Sequence, residues 1–386
     1  MGAAWETLGH MGDRLRVAIT LEQCWHRVPG GTARAALDSV RALQLHGASE
    51  LIGVSAHHGS DPEHSWRPTI EVEQFRLPRI ALYESWHRFR RPRVSSLIEH
   101  VDVIHATGMA VPPPTAPLVV TVHDLAFLRD PTQFTARGVR FFHRAIDLAR
   151  SDATIVNCPS QATIDECVGH GFDPERLRLL PWSIDPVLAD PAEVSRVRSR
   201  LGIDGPMVLW AGTIEPRKNL QMLLEAFTRI ADPVATLVLA GPTGWNEDLS
   251  ARLSTLGDRV RVLGFVASEE LRTLFAAADI FCFPSRQEGF GLPVLEAMAQ
   301  GTAVITSSGT ATAEVAGDAG MLVDPSDVDA LVDALDLLIG DVSERERLGA
   351  LARRRVLDQY DPRRHAAALE SIYHEAAALG VRGSGR

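Results

Sequence analysis

Short apolar runs alternate with amphipathic stretches of helical period along most of the chain. Leu15–Thr20, Glu50–Ser55, Val101–Ala106, Leu118–Asp124 and Ala153–Ser160 read as buried strands in the first half. Each is a short apolar run bounded by turn formers, the signature of a strand covered on both faces. Met207–Trp210, Ala235–Pro242, Val260–Val266, Ile280–Phe283, Thr302–Thr306 and Ala319–Val323 repeat the pattern in the second half. Between them the spacing turns helical. Ala36, Leu37, Val40 and Leu43 share one face, as do Leu220, Leu223, Leu224 and Phe227. Such alternation predicts parallel sheets with helices on both faces, and 386 residues suffice for two domains of ordinary size. The fold class is therefore α/β, two doubly wound Rossmann-like sheets with a site in the cleft between them.

One stretch carries the densest chemistry, Ser285 to Ala299. The apolar run Ile280–Phe283 is broken by Pro284, and Glu288, Gly289, Phe290 and Gly291 follow before Leu292 and Pro293. Pro293 fits a first helical turn, where its missing N–H costs nothing. The expected helix points its positive end at the glycine loop, so the amides from Gly289 to Leu292 can hold an anion such as a diphosphate. Glu288 and Glu296 frame this loop and suit hydroxyl acceptance better than phosphate contact. On the residues alone, Glu288 also reads as a solvated loop charge and Glu296 as a favourable first-turn acid.

Upstream, Gly212 follows the run Met207–Trp210, and Arg217-Lys218 precede another helix. Adjacent cations at a helix entrance oppose the dipole unless something anionic sits there. Gly30 and Gly31 lie in a strand–loop–helix context, and His123 ends an apolar run at what should be the carboxyl edge of a sheet. Asp124 fits either of two roles, orienting His123 or capping the next segment. Glu84 to Arg93 clusters aromatic and basic residues. It reads as a helix end with Trp86 and Phe89 packed inward, or as a surface for an anionic acceptor or a membrane.

The formal charge of −10 excludes a nucleic-acid binder that depends on overall basic charge. Cys24, Cys158, Cys167 and Cys282 are scattered without metal-ligand spacing and read as reduced core thiols. His57-His58 lack a third ligand, and Asp327-Val328-Asp329 is best explained as a helix cap, so no metal and no cofactor is expected. No apolar run approaches a membrane span, which favours a cytoplasmic enzyme, with peripheral attachment to the inner face of a membrane left open.

Glu288-Gly-Phe-Gly-Leu-Pro-Val-Leu-Glu296 resembles the E-x7-E signature of retaining glycosyltransferases of group 1 or family 4 type, which have the GT-B fold. Ala211-Gly212-Thr213-Ile214-Glu215-Pro216-Arg217-Lys218-Asn219-Leu220 is similar to the family's G-x-x-x-x-R-K-N/G block. Thr121-Val122-His123-Asp124-Leu125-Ala126-Phe127 is similar to its T-x-H-D segment, and the combination looks most like bacterial mannosyltransferase-like members.

The resemblance implies transfer from a nucleotide diphosphate sugar, GDP-mannose first, to a carbohydrate, lipid-linked or small-molecule acceptor hydroxyl in glycan, glycolipid or polysaccharide biosynthesis. His123 would bind the transferred sugar, and Arg217 and Lys218 would meet the leaving diphosphate. Glu288 would orient sugar hydroxyls and Glu296 the ribose. Gly30, Gly31, Gly212, Gly289, Phe290, Gly291 and Leu292 would line the donor, and Val266 would meet the base. His105 is expected in a supporting position.

Trp182-Ser183 departs from the family's P-x-G-V/I-D pattern. The implied layout is a flexible extension at 1–13, an acceptor-binding domain at 14–186, a donor-binding domain at 187–360, and a helix crossing back with its tail at 361–386. The crossing tail is expected to include Arg353 to Arg355, with disorder from Gly380. The competing readings are a GT-B epimerase, a phosphorylase or a silent nucleotide-sugar binder.

Overall fold

The computed structural model describes residues 14–383 apart from 28, 243 and 245–248. The extension expected at 1–13 lies outside these residues. The first sheet contains β1 (Arg16–Thr20), β2 (Glu50–Ser55), β3 (Val72–Gln74), β4 (Val103–Ala106), β5 (Leu118–Thr121), β6 (Ile155–Cys158) and β7 (Leu177–Leu179). Their order is β3-β2-β1-β4-β5-β6-β7, every pair parallel. The second sheet contains β8 (Met207–Ala211), β9 (Thr236–Ala240), β10 (Val260–Gly264), β11 (Ile280–Phe283), β12 (Ala303–Ser307) and β13 (Met321–Val323). It is also wholly parallel, ordered β10-β9-β8-β11-β12-β13. These are the two Rossmann-like sheets of a GT-B fold.

The patterning explains both what was legible and what was missed. β4, β5, β6, β8, β9, β11 and β12 are buried throughout, so their apolar runs are continuous. β3 and β7 are three-residue edge strands, Val-Glu-Gln and Leu-Arg-Leu, mostly half-buried, interrupted by polar residues and with no apolar run to find.

Alternation along the first sheet builds two cores. Ala18, Ile104 and Val120 face one layer, which holds Leu82 and Trp86. Val17, Val103 and Val119 face the other, together with Leu37 and Val40 of the helix Gly30–His46 and with Leu369, Ile372 and Tyr373. The last three belong to the terminal helix Pro362–Gly383, which thus completes the first domain. His105 ties that helix in, with Nδ1 2.8 Å from the Tyr373 hydroxyl and Nε2 2.8 Å from Thr121 Oγ1. Glu370 accepts from the amides of Ala48 and Ser49 at 2.9 and 2.8 Å.

Several expectations change. Gly30 and Gly31 open the helix Gly30–His46 instead of forming a loop before it. Trp86 is buried but Phe89 is 72% exposed, because its helix ends there and Arg90 turns left-handed at φ 52°. Arg90 itself is structural and donates to the carbonyls of Trp86, Val111 and Pro112. Arg353 and Arg355 lie on the helix Val342–Gln359 and bond to Ala299 and Val315 carbonyls of the second domain, so the crossing begins only at Pro362. That terminal helix runs on through Gly383, past the disorder expected from Gly380. The four cysteines are free and buried. Asp327 caps its helix, accepting from the Ala330 amide at 2.9 Å.

Candidate active site

Strand order reverses at β1/β4 in the first sheet and β8/β11 in the second, and the site is built from what leaves those strand ends. At the first reversal Thr107 bonds back to Thr20, its amide 3.0 Å from the Thr20 hydroxyl, and Gln23 Nε2 donates to Thr107 Oγ1 at 2.7 Å. Thr107 in turn fixes His123. The imidazole Nε2 lies 2.8 Å from the Thr107 carbonyl. A carbonyl only accepts, so Nε2 carries the proton and Nδ1 is left with a bare lone pair. Nδ1 is buried and has no partner among the described residues. Burial pushes the His123 pKa down, against the raising effects of Thr107 and Asp124, which keeps the ring neutral. Asp124 caps instead of orienting His123, accepting from the Ala126 amide at 3.1 Å.

At the second reversal a charged cluster converges. Pro216–Lys218 forms a single 3-10 turn ended by Asn219 at φ 55°, whose side chain donates to the Pro284 and Pro325 carbonyls at 3.0 and 2.9 Å. That turn aims Arg217 and Lys218 at Glu288. Lys218 Nζ lies 2.5 Å from Glu288 Oε1, and Arg217 Nη1 lies 3.2 Å from Oε2. Glu215 holds Arg217 Nε at 2.7 Å, and Ser285 donates to Glu288 Oε1 at 2.8 Å. The negative charge that these adjacent cations call for is therefore supplied in part by the protein's own carboxylates. Glu288 is correspondingly a buried ion-pair member and not a solvated loop charge. Burial pushes the Glu288 pKa up, but the Lys218 and Arg217 charges and the Lys218 and Ser285 hydrogen bonds outweigh it, so the carboxylate is held below its ordinary range.

Gly289 to Leu292 follow directly. Gly291 has φ 107°, a left-handed conformation that glycine alone adopts without strain, and it starts the helix Leu292–Ala299. The amides of Phe290, Gly291 and Leu292 have no acceptor among the described residues. The Phe290 ring is buried, so any ligand contact there falls to its backbone. The Gly289 carbonyl lies 2.8 Å from Ser160 Oγ and 3.2 Å from Thr163 Oγ1 of the first domain. Glu314 adds a second bridge, accepting from the Gln161 and Ala162 amides at 2.7 Å each.

Glu296 faces elsewhere. It borders a cavity of about 330 Å³ together with Arg34, Asp38, Ser268 and Arg272. Burial pushes its pKa up to about 7, with Arg34 pulling down and Asp38 adding to the rise. His123 and Arg217 border a different cavity of about 380 Å³. Thr32 lines this cavity and Arg34 lines that of Glu296, so the helix that Gly30 and Gly31 open runs between the two. Gly212, at φ 156°, closes β8 beneath Phe283. Val266 lies beyond the edge strand β10, at the margin of the second-domain core and two residues before Ser268.

Residues 193–355 match the family model for glycosyl transferases group 1, and residues 29–188 match that for glycosyltransferase family 4. The O-antigen chain mannosyltransferase B of Escherichia coli is 35% identical over 288 residues, which is 70% of this chain and 74% of the relative. The chain belongs to the group 1 glycosyltransferases. An MMP α-(1→4)-mannosyltransferase of Mycolicibacterium hassiacum is 33% identical over 68% of this glycosyltransferase and 66% of the relative. The fold is shared with Anabaena HepE in complex with UDP and glucose, at TM-score 0.74 and 21% identity over 93% and 99% of the two chains. It is shared also with WaaG, at TM-score 0.69 and 20% identity over 94% and 99%.

Three contributors to the site of this glycosyltransferase escaped the sequence reading. Glu215 and Ser285 position Arg217 and Glu288, yet each looks like an ordinary loop residue; only their place within the two signature blocks pointed to them. Trp182 is the third. Its ring centroid lies 5.3 Å from that of His123 and 5.1 Å from that of Phe290, bridging the two domains one residue before Ser183, where the family pattern has glycine.

Proposed function

We propose that this glycosyltransferase moves a hexose, mannose first, from a nucleotide diphosphate sugar to an acceptor hydroxyl with retention at the anomeric carbon. One observation carries the reading. Arg217 borders the same cavity as His123, whose Nδ1 is bare, while Glu288 ties Arg217 to Lys218 and lies two residues before the free amides of Phe290 to Leu292. Cations and unpaired amides at a helix start suit a leaving diphosphate, and fixed donors aimed at developing charge are the largest electrostatic contribution such a site offers. A lone-pair nitrogen across the cleft suits a sugar hydroxyl.

Retention is what the family resemblance implies, and the carboxylates bear on how it would be achieved. Both Glu288 oxygens are engaged, Oε1 by Lys218 and Ser285 and Oε2 by Arg217. Asp124 turns Oδ1 to the Ala126 amide as a helix cap. With both oxygens held by ion pairs and a hydrogen bond, Glu288 is a poor nucleophile, which favours a same-face displacement over a covalent glycosyl-enzyme built on it. The acceptor oxygen forms its bond to the anomeric carbon as the bond to the diphosphate breaks, and the hydroxyl proton leaves on the departing phosphate oxygen. GDP-mannose is the first donor because two of the relatives are mannosyltransferases. UDP-glucose comes next, as the ligand of a HepE structure.

The test is thermal stabilisation by GDP-mannose, UDP-glucose and ADP-glucose, followed by proton NMR of the transfer product. A selective shift and a product with the donor's anomeric configuration are expected. No shift with any donor in folded protein overturns the reading, and an inverted product overturns the mechanism.

A further inference from the structure

The cavity beside His123 encloses about 380 Å³, and apart from Glu215 and Arg217 its walls come from the first domain. Its lining is mixed. Thr20, Glu22, Gln23, His26, His123 and Arg217 supply polar groups, and Tyr83, Trp86, Phe127, Phe141 and Phe142 make an aromatic wall. That wall is assembled ring on ring: Tyr83 stacks on Phe141 with centroids 5.7 Å apart, and Phe127 meets Phe142 at 5.2 Å. The helices Arg79–Phe89 and Ala136–Asp152 supply four of the five rings. Tyr83, Phe141 and Phe142 are only half-buried, so part of their apolar surface is open to the cavity.

The polar side is equally specific. Glu22 is held rigid, accepting from the Ala56 amide at 2.8 Å with His58 Nε2 at 3.0 Å. His26 Nε2 and His123 Nδ1 are buried without partners among the described residues. Unpartnered buried nitrogens call for hydroxyls, and open aromatic faces call for apolar groups. A free hexose carries hydroxyls around its whole ring and would leave some unpaired against the aromatic wall. A molecule polar at one end and apolar at the other satisfies both halves.

We propose that this cavity is the acceptor subsite and that its acceptor is amphipathic: a hydroxyl-bearing head beside His123 and Arg217, joined to an apolar ring or short chain seated among Tyr83, Trp86, Phe127, Phe141 and Phe142. The proposal rests on the transfer function given above. The volume lies near the lower end of the roughly 300–1,000 Å³ of ligand pockets, which suits a ring or short chain and leaves no room for a long one.

The experiment uses the full chain with its stabilising donor and compares methyl, phenyl and hexyl α-mannosides as acceptors. KM for the phenyl and hexyl glycosides should be roughly tenfold or more below that of the methyl glycoside, since each buried methylene adds about fourfold. The preference should fall to within about twofold in Phe142→Asn and in the milder Met109→Gln, Met109 also lining the cavity, with donor-induced thermal shifts certifying that each variant folds. Equal KM values across the three glycosides overturn the proposal while leaving the transfer function standing. Absence of donor binding overturns the functional reading itself. If donor binds but nothing is transferred, calorimetry of the same glycosides decides: tighter phenyl binding lost in Met109→Gln supports the subsite, and equal or absent binding overturns it.

Discussion

A side chain at position 289 would collide with the carbonyl of His123, its Cβ only 1.9 Å from that oxygen. The two residues come from opposite domains, so the glycine sets how closely the signature loop approaches the histidine proposed to bind the sugar. Gly289→Ala is expected to keep both domain cores and push the loop away from His123. Misplacement on the ångström scale costs on the order of 100-fold in rate. Steady-state kinetics alongside circular dichroism check this, and full activity in the alanine variant would show the contact to be incidental.

Glu288 and Lys218 should respond in opposite ways to mutation. Glu288→Gln leaves the Lys218 ammonium buried without a full charge partner, and is expected to destabilise by about 3 kcal/mol. Lys218→Met leaves Glu288 with Arg217 and Ser285. It should cost less than half as much stability while lowering kcat about 100-fold or more. Because the folded Glu288 pKa is depressed, its contribution to stability is present above the ordinary carboxylate pKa and is lost as pH falls through the folded value. Urea titrations from pH 7 to pH 3 should show that acid-side loss in the native protein and a weaker one in Glu288→Gln.

Glu296 predicts the reverse sign. Its folded pKa is raised to about 7, so its effect on the ligand-free protein favours the fold below the unfolded carboxylate pKa and fades as pH rises through about 7. A ribose hydroxyl donating to Glu296 prefers the ionised form. Donor affinity should therefore rise roughly tenfold between pH 6 and pH 8, with a proton released on binding at pH 6. Isothermal calorimetry in buffers of different ionisation enthalpy reads both effects, and Glu296→Gln should flatten them. A flat profile in the native protein would remove Glu296 from the donor site.

Glu314 holds the domains together through the Gln161 and Ala162 amides. Charge-assisted bonds of this kind contribute about 1.5–3 kcal/mol each where water is excluded, and less at exposed Gln161. Glu314→Ala should open the cleft, raising the radius of gyration in small-angle scattering and the KM for donor, with saturating donor restoring compactness. An unchanged scattering profile would mean that the Ser160–Gly289 contact suffices alone.

The sequence by itself determined the layers and the signature blocks. Buried parallel strands are unbroken apolar runs, so β8, β9 and β11 announce themselves, and Glu288, Glu296, Arg217, Lys218 and His123 stand inside recognisable local spacings. Edge strands such as β3 gave no such signal, because half-exposed residues carry no apolar run.

Only the tertiary structure decided which groups meet. That Arg217 and Lys218 both pair with Glu288, about seventy residues away, depends on two strand ends emerging side by side. That Glu296 leaves the loop for a separate cavity with Arg34 and Asp38 depends on a helix of the other domain. The bare nitrogen of His123 follows from the Thr107 carbonyl, placed by the reversal between β1 and β4. The aromatic wall likewise draws on three separate helices. Local spacing encodes the direction of a side chain within its own element, whereas charge pairing, burial and cavity shape arise from contacts between elements remote in sequence.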